Sequence, residues 1–258
     1  MSVQLILLLL LFAGMAAVGR GRGLRAFATL LFDCAALYLM LLLMAYGADP
    51  VLVSAVGGAA VAAAVLFYTN GPHKKTAAAF AAVAVVLAAE LTFIRAVGAD
   101  ARMAGFGRQQ AETVAVLSLS VPLDFTRVAC AELLIGLLGS TMDVAISVAS
   151  PLSEIAAHNP SATARNLFAS GMRIGRDVLG TMVNTLVYVY VAESVTLLLW
   201  FDQFHESLWD MLVDKSFCAA LLQILSGGIG VVLVIPVSAL AAAALLRAPA
   251  PLIRRRNA

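Results

Sequence analysis

Charge is what this chain has least of. Only 12% of its 258 residues are Asp, Glu, Lys or Arg, about half the share found in soluble domains. Hydrophobic residues make up 62%, more than one soluble core would absorb. Cysteine is scarce too. Cys34, Cys130 and Cys218 are scattered through apolar segments, and an odd count without spacing excludes a disulfide framework and a cysteine metal motif. The three histidines, His73, His158 and His205, are isolated and fall in expected loops, so no metal site is read from them. There is no His–Glu metal motif, no Gly-x-Ser-x-Gly and no phosphate loop. No cofactor is expected. The formal net charge of +2 singles out no partner, and no nucleic acid is expected. Positive charge is also missing ahead of the first apolar run, where a signal peptide would carry it. The run at 3–19 is therefore read as a retained helix.

What remains is long apolar sequence. A membrane-spanning helix needs roughly 20 mostly apolar residues. Runs that meet this lie near 3–19, 26–46, 50–69, 76–95, 127–150, 177–200 and 216–246. The expected fold is all-α: one integral membrane domain over 1–258, a polytopic transmembrane helix bundle of about seven spans. The segment 111–123 is apolar but short and contains Pro122, so it is read as interfacial or re-entrant.

Lys and Arg in short connections mark the cytoplasmic side. Arg20, Arg22 and Arg25 lie in the first connection; His73, Lys74 and Lys75 in the third; Arg165, Arg173 and Arg176 in the fifth. Arg247, Arg254, Arg255 and Arg256 follow the last run. The second connection, near Asp49, has neither Lys nor Arg, and the sixth is acidic, with Asp202, Glu206, Asp210 and Asp214. Alternation places the N-terminus outside and the C-terminus inside. Arg102 and Arg108 in the fourth connection depart from it, partly offset by Asp100 and Glu112.

The polar residues inside the spans are not scattered. Glu132, Gly136, Ser140, Asp143, Ser147, Ser150 and Glu154 recur at steps of three or four. On a continuous helix they fall within an arc of about 80°. Ser170, Arg173, Asp177, Thr181, Asn184 and Tyr188 do the same in the next span. The two stripes are expected to pack against each other, with Pro151 bending or breaking the first helix near its inner end. Small residues also occur at helix contacts merely because they let backbones approach. A carboxylate at depth asks for more, since charge in hydrocarbon is costly and marks function. Asp143 is the foremost such residue, and Asp33 and Glu193 are further intramembrane acids. Gln223, Gly227 and Gly230 line one face of the last run, with Pro236 an expected kink.

Such a stripe suits three kinds of protein. A transporter would use it as a hydrophilic path, with Asp143 binding a proton or hard cation. The break after Ser150 and the glycine-rich "SGMRIGRD" at 170–177 would then resemble discontinuous helices whose free N-terminus holds an anion. A membrane-complex subunit would use it for packing. An aspartyl enzyme would need Asp143 and Asp177 to share a proton, although one is deep and the other shallow.

"IGLLGSTMDVAISVASPLSEIAAHNPS" and "LFASGMRIGRDVLGTMVNTLVYVY" resemble the signature of the YibE/F-like family of bacterial multi-pass membrane proteins. The resemblance is dense over 130–190. It implies a protein of the bacterial inner membrane, a presumed transport role, and pairing as a homo-dimer or a hetero-dimer with a related family member. The signature positions carry over to Asp143, Ser147, Glu154, Asn159, Pro160, Ser170, Gly171, Arg176, Asp177, Thr181 and Asn184. Pro151 and Arg173 depart from it. The expected function is a secondary transporter or permease for a small solute or ion. Ser140, Asp143 and Ser147 would be its binding residues, with Arg176, Asp177, Thr181 and Asn184 at the cytoplasmic mouth. Glu132, Glu154, Asn159, Ser170, Arg173, Asp33 and Glu193 are secondary candidates.

Overall fold

The computed structural model describes residues 3–100, 124–204 and 207–247. Among them there is no strand. The helices are α1 (Val3–Ala45), α2 (Pro50–Asn70), α3 (Lys74–Asp100), α4 (Phe125–His158), α5 (Ala164–Gln203), α6 (Leu208–Val213) and α7 (Lys215–Arg247). Six of the seven are long and apolar enough to cross a membrane. The segment 111–123 lies outside the described residues.

The first two expected spans are the arms of one element. α1 turns back at Arg20, whose backbone (φ 48°, ψ −132°) is not helical. Phe12 and Phe27 meet edge to face with ring centroids 4.9 Å apart; along a straight helix they would stand about 22 Å apart. Gly23 faces the Met15 carbonyl so closely that a Cβ there would lie 1.8 Å from the oxygen. The turn needs a residue without a side chain at that place, and "GRGRG" supplies it. The arms 3–19 and 21–45 run antiparallel, so the seven expected crossings survive as six helices with the first one folded.

Two contacts fix which ends lie together. Arg127 at the start of α4 pairs with Asp49, the N-cap of α2, at 2.5 Å. Ile94 late in α3 packs with Val51 of α2 and with Cys130, Leu133 and Leu134 of α4. The start of α2, the Ile94 end of α3 and the start of α4 therefore share a side, as alternation of the expected spans requires. At the other side Arg247, ending α7, donates to the carbonyls of Pro160 and Asn159 between α4 and α5.

The core is the packing of α3, α4 and α7, with α2 on α3 and α4, and α5 chiefly on α7. Val144, Val148 and Leu152 of α4, Val83 and Val86 of α3, and Val231 and Val234 of α7 are fully buried or nearly so. Ser238 Oγ donates to the Ala145 carbonyl across α7 and α4 at 2.9 Å. Many large apolar side chains, Leu7, Leu10, Leu41 and Leu240 among them, face outward, as helices solvated by lipid do.

Two expected breaks do not occur. α4 runs through Pro151 to His158. Proline removes one backbone bond, but Val148, Ala149 and Leu152 are buried around it and tertiary packing holds the helix. The second is "SGMRIGRD". α5 starts at Ala164, capped by Thr163, so this stretch lies inside a continuous helix and not at its N-terminus. Its glycines are packing positions: a Cβ on Gly171 would meet Ala239 at 2.7 Å, and one on Gly175 would meet Ile235 at 2.2 Å. The reading of an anion-holding helix end at 170–177 is thereby overturned. α7 likewise continues through Pro236, and the short α6, capped by Ser207, was not foreseen.

Candidate functional site

Because α4 is unbroken, its polar positions form one continuous stripe. Thr141, Val144, Val148 and Leu152 face the core, and Asp143 lies on the opposite side of the helix. Glu132, Asp143 and Glu154 are exposed on the outside of the single chain, with Gly136, Ser140, Ser147 and Ser150 half-buried along the same line. Ser140 spends its hydroxyl on the Leu137 carbonyl of its own helix. Asp143, near the middle of α4, makes no hydrogen bond or ion pair to any described residue.

The α5 stripe has the same character. Arg173, Arg176, Asp177, Thr181, Asn184 and Tyr188 are exposed and Ser170 is half-buried. α5 buries instead Leu167, Gly171, Gly175 and Tyr190. Thr181 donates to the Val178 carbonyl, and its own carbonyl accepts from Thr185. The expected stripe-to-stripe packing is not made: Asp143 is joined to neither Arg173 nor Asp177. Both polar faces stay open on the outside of one chain because small and apolar positions, not polar ones, fill the contacts of α5 with α7 and α4.

Asn159 has a structural place. It caps α4, and its side chain accepts from Ser161 at 2.7 Å. Asp33 is half-buried in the second arm of α1, with one carboxylate oxygen buried and unbonded.

A second polar cluster lies where α4, α5 and α7 meet. Tyr190 hydrogen-bonds Gln223. Both close on Gly136, where a Cβ would stand 3.0 Å from Gln223 Nε2 and 3.2 Å from the Tyr190 hydroxyl. Glu132 and Glu193 are near enough to act on Tyr190 through their charge. Glu193, off the main stripe by periodicity, thus belongs with Glu132 on the same side of the bundle as Asp49.

One acid was missed by the sequence reading. Glu90 in α3 is 3% exposed, and neither carboxyl oxygen has a hydrogen-bond partner among the described residues. The signal was the one used for Asp143, a single acid in an otherwise apolar run. It stands inside the expected span 76–95, and α3 continues beyond that span to Asp100.

Among the described residues no group of three or more His, Cys, Asp or Glu could hold a metal ion. The arrangement offers two polar faces on the outside of an apolar bundle and one isolated carboxyl, Glu90, inside it, groups suited to binding ions or protons. The model of the family described as YibE/F-like protein matches residues 7–248. No curated protein and no solved structure matches the chain.

Proposed function

This chain belongs to the YibE/F-like family, and we propose that this multi-pass membrane protein is a secondary transporter or permease for a small solute or ion. The observation that carries the reading is Asp143, an unpaired carboxyl near the middle of a helix long enough to cross a bilayer. A carboxyl there is costly unless it has work to do. The polar faces of α4 and α5 line the path in this reading, with Ser140, Asp143 and Ser147 at depth and Arg176, Asp177, Thr181 and Asn184 at the mouth. Neither face is covered in one chain, so a second copy or a related family member closes the path. The location is the bacterial inner membrane, with the Arg247 side in the cytoplasm by the charge rule.

The openness of α5 also fits a second reading, a membrane-complex subunit whose polar face docks on a partner and carries nothing. The aspartyl-enzyme reading has less support, since Asp143 and Asp177 are not joined.

A thermal-shift screen separates the first two. Purified wild type and Asp143→Asn are melted with mono- and divalent cations, common anions and small metabolites at several pH values. Binding to the native state raises stability by about 2.7 kcal/mol at 100 times Kd. The transport reading expects a ligand that stabilises the wild type and not the variant. No shift of the wild type with any compound would favour the subunit reading.

A further inference from the structure

Glu90 stands apart from both stripes. Among the described residues it is the one charged-type side chain in the core. Its Oε1 lies 2.0 Å from where a Cβ on Gly230 would stand, and Thr141 Cγ2 lies 3.4 Å from the same point. The carboxyl is thus lodged where α3, α4 and α7 meet, in a space that exists because residue 230 has no side chain. Thr141 offers it no proton, since that hydroxyl donates to the Leu137 and Leu138 carbonyls of its own helix. Among the described residues no charged group faces it from the elements packed around it. α2 carries no Asp, Glu, Lys, Arg or His, and α7 has none between Lys215 and Arg247. On α4, Glu132, Asp143 and Glu154 are exposed, and Arg127 pairs with Asp49 and Asp124.

An ionised carboxylate in such a place, with neither donor nor counter-ion, is far too costly to persist; such groups become neutral or are paired. A bound metal cation would need about six oxygen ligands close by, and the surroundings are Gly230, a spent Thr141 hydroxyl and hydrocarbon. A proton needs no ligand shell.

We propose that Glu90 is a proton-binding site inside the α3–α4–α7 core, with Gly230 as the gap that admits the protonated carboxyl. Loss of the proton leaves a charge that only water or a cation can solvate, so it forces α7 away from α3. Proton occupancy is thereby tied to the packing of the two helices. Thr141 and Asp143 are two residues apart, about 3 Å along the helix axis, so Glu90 lies at nearly the depth of Asp143, across α4 from it. On the transport reading above, Glu90 supplies the coupling proton, and that last role rests on that reading.

Infrared spectroscopy of the protein in lipid nanodiscs at neutral pH tests the site without measuring transport. The wild-type-minus-Glu90→Gln difference spectrum is expected to show the C=O stretch of a protonated carboxylic acid. The band is lost completely in Glu90→Gln and kept in Asp143→Asn. Carboxylate stretches in its place would overturn the proposal. Gly230→Ala puts a methyl group against Oε1 and is expected to shift the band; an unmoved band would overturn the placement at Gly230. If Glu90→Gln does not fold, Glu90→Asp serves, with a shifted acid band expected and an unchanged one contradicting the assignment. A retained acid band with no detectable flux of any solute would leave the proton site standing and remove the transport role alone.

Discussion

Replacing Asp143 with asparagine is expected to abolish coupled transport and leave the fold intact. The two halves of that expectation have separate causes. Asp143 is exposed on the outside of the single chain and bonds to no described residue, so its loss removes no contact of the fold. Surface changes of that kind stay within about 0.5 kcal/mol. The ligand loses more. A charge-assisted interaction contributes about 1.5–3 kcal/mol, which is about 10- to 100-fold in affinity. Asparagine keeps the shape and some polarity but can neither hold a proton nor neutralise a cation. Flux into proteoliposomes, measured with the ligand found by thermal shift, should fall to the level of empty vesicles. Melting should match the wild type. Flux at the wild-type rate would remove Asp143 from the path.

Gly171→Leu is expected to be the most damaging substitution for the fold. Here α5 crosses α7 so closely that a Cβ alone would stand 2.7 Å from Ala239 Cβ and 3.3 Å from Ala239 Cα. Alanine has no flexible end to swing aside, so the helices themselves must part. Overpacking of this kind costs about 1–3 kcal/mol and sometimes more; the upper end, about 3 kcal/mol, applies where backbone blocks the way. Gly180 on the same helix is the control, because nothing lies within 4 Å of a Cβ there. Gly180→Leu should be neutral or stabilising by up to about 1 kcal/mol, through helix propensity. Thermal melting in the same detergent compares them. Equal effects at the two glycines would contradict the close crossing of α5 and α7.

These glycines show where sequence reading reaches and where it stops. Apolar runs were legible because a bilayer demands length and composition, and both are counted along the chain. Sidedness was legible in part because charge is sparse. Asp49, in the second connection, and Arg127, the first residue of the expected span 127–150, do meet. The stripe of α4 followed from 3.6-residue periodicity, and the structure extends it through Pro151 to Glu154. What a helix face touches was less legible. "SGMRIGRD" has the glycines of a helix entry and of a close crossing alike; only Ala239 and Ile235, sixty or more residues beyond the glycines they meet, decide between them. The reversal between the first two spans was legible as the connection at 20–25; its tightness was not, since Gly19, Gly21 and Gly23 are compatible with a loop or a tight turn. Glu90 was hidden by depth. Its burial depends on the missing side chain at Gly230, which is not written in its neighbours.

The central claim is that the polar faces of α4 and α5 border water inside the membrane. The most direct test places single cysteines, in a chain cleared of Cys34, Cys130 and Cys218, at Ser140, Asp143, Ser147, Asp177, Thr181 and Asn184. Apolar positions, Leu199 on α5 and Leu41 on α1, serve as controls. A membrane-impermeant, water-soluble thiol reagent is added to each side of sealed vesicles. The account predicts labelling along the stripes and none at Leu199 or Leu41, with the ligand slowing the reaction at residues 140 and 147, where Asp143 is kept. Stripes as unreactive as Leu199 would mean that these faces meet lipid or a dry partner surface, and that no path runs along them.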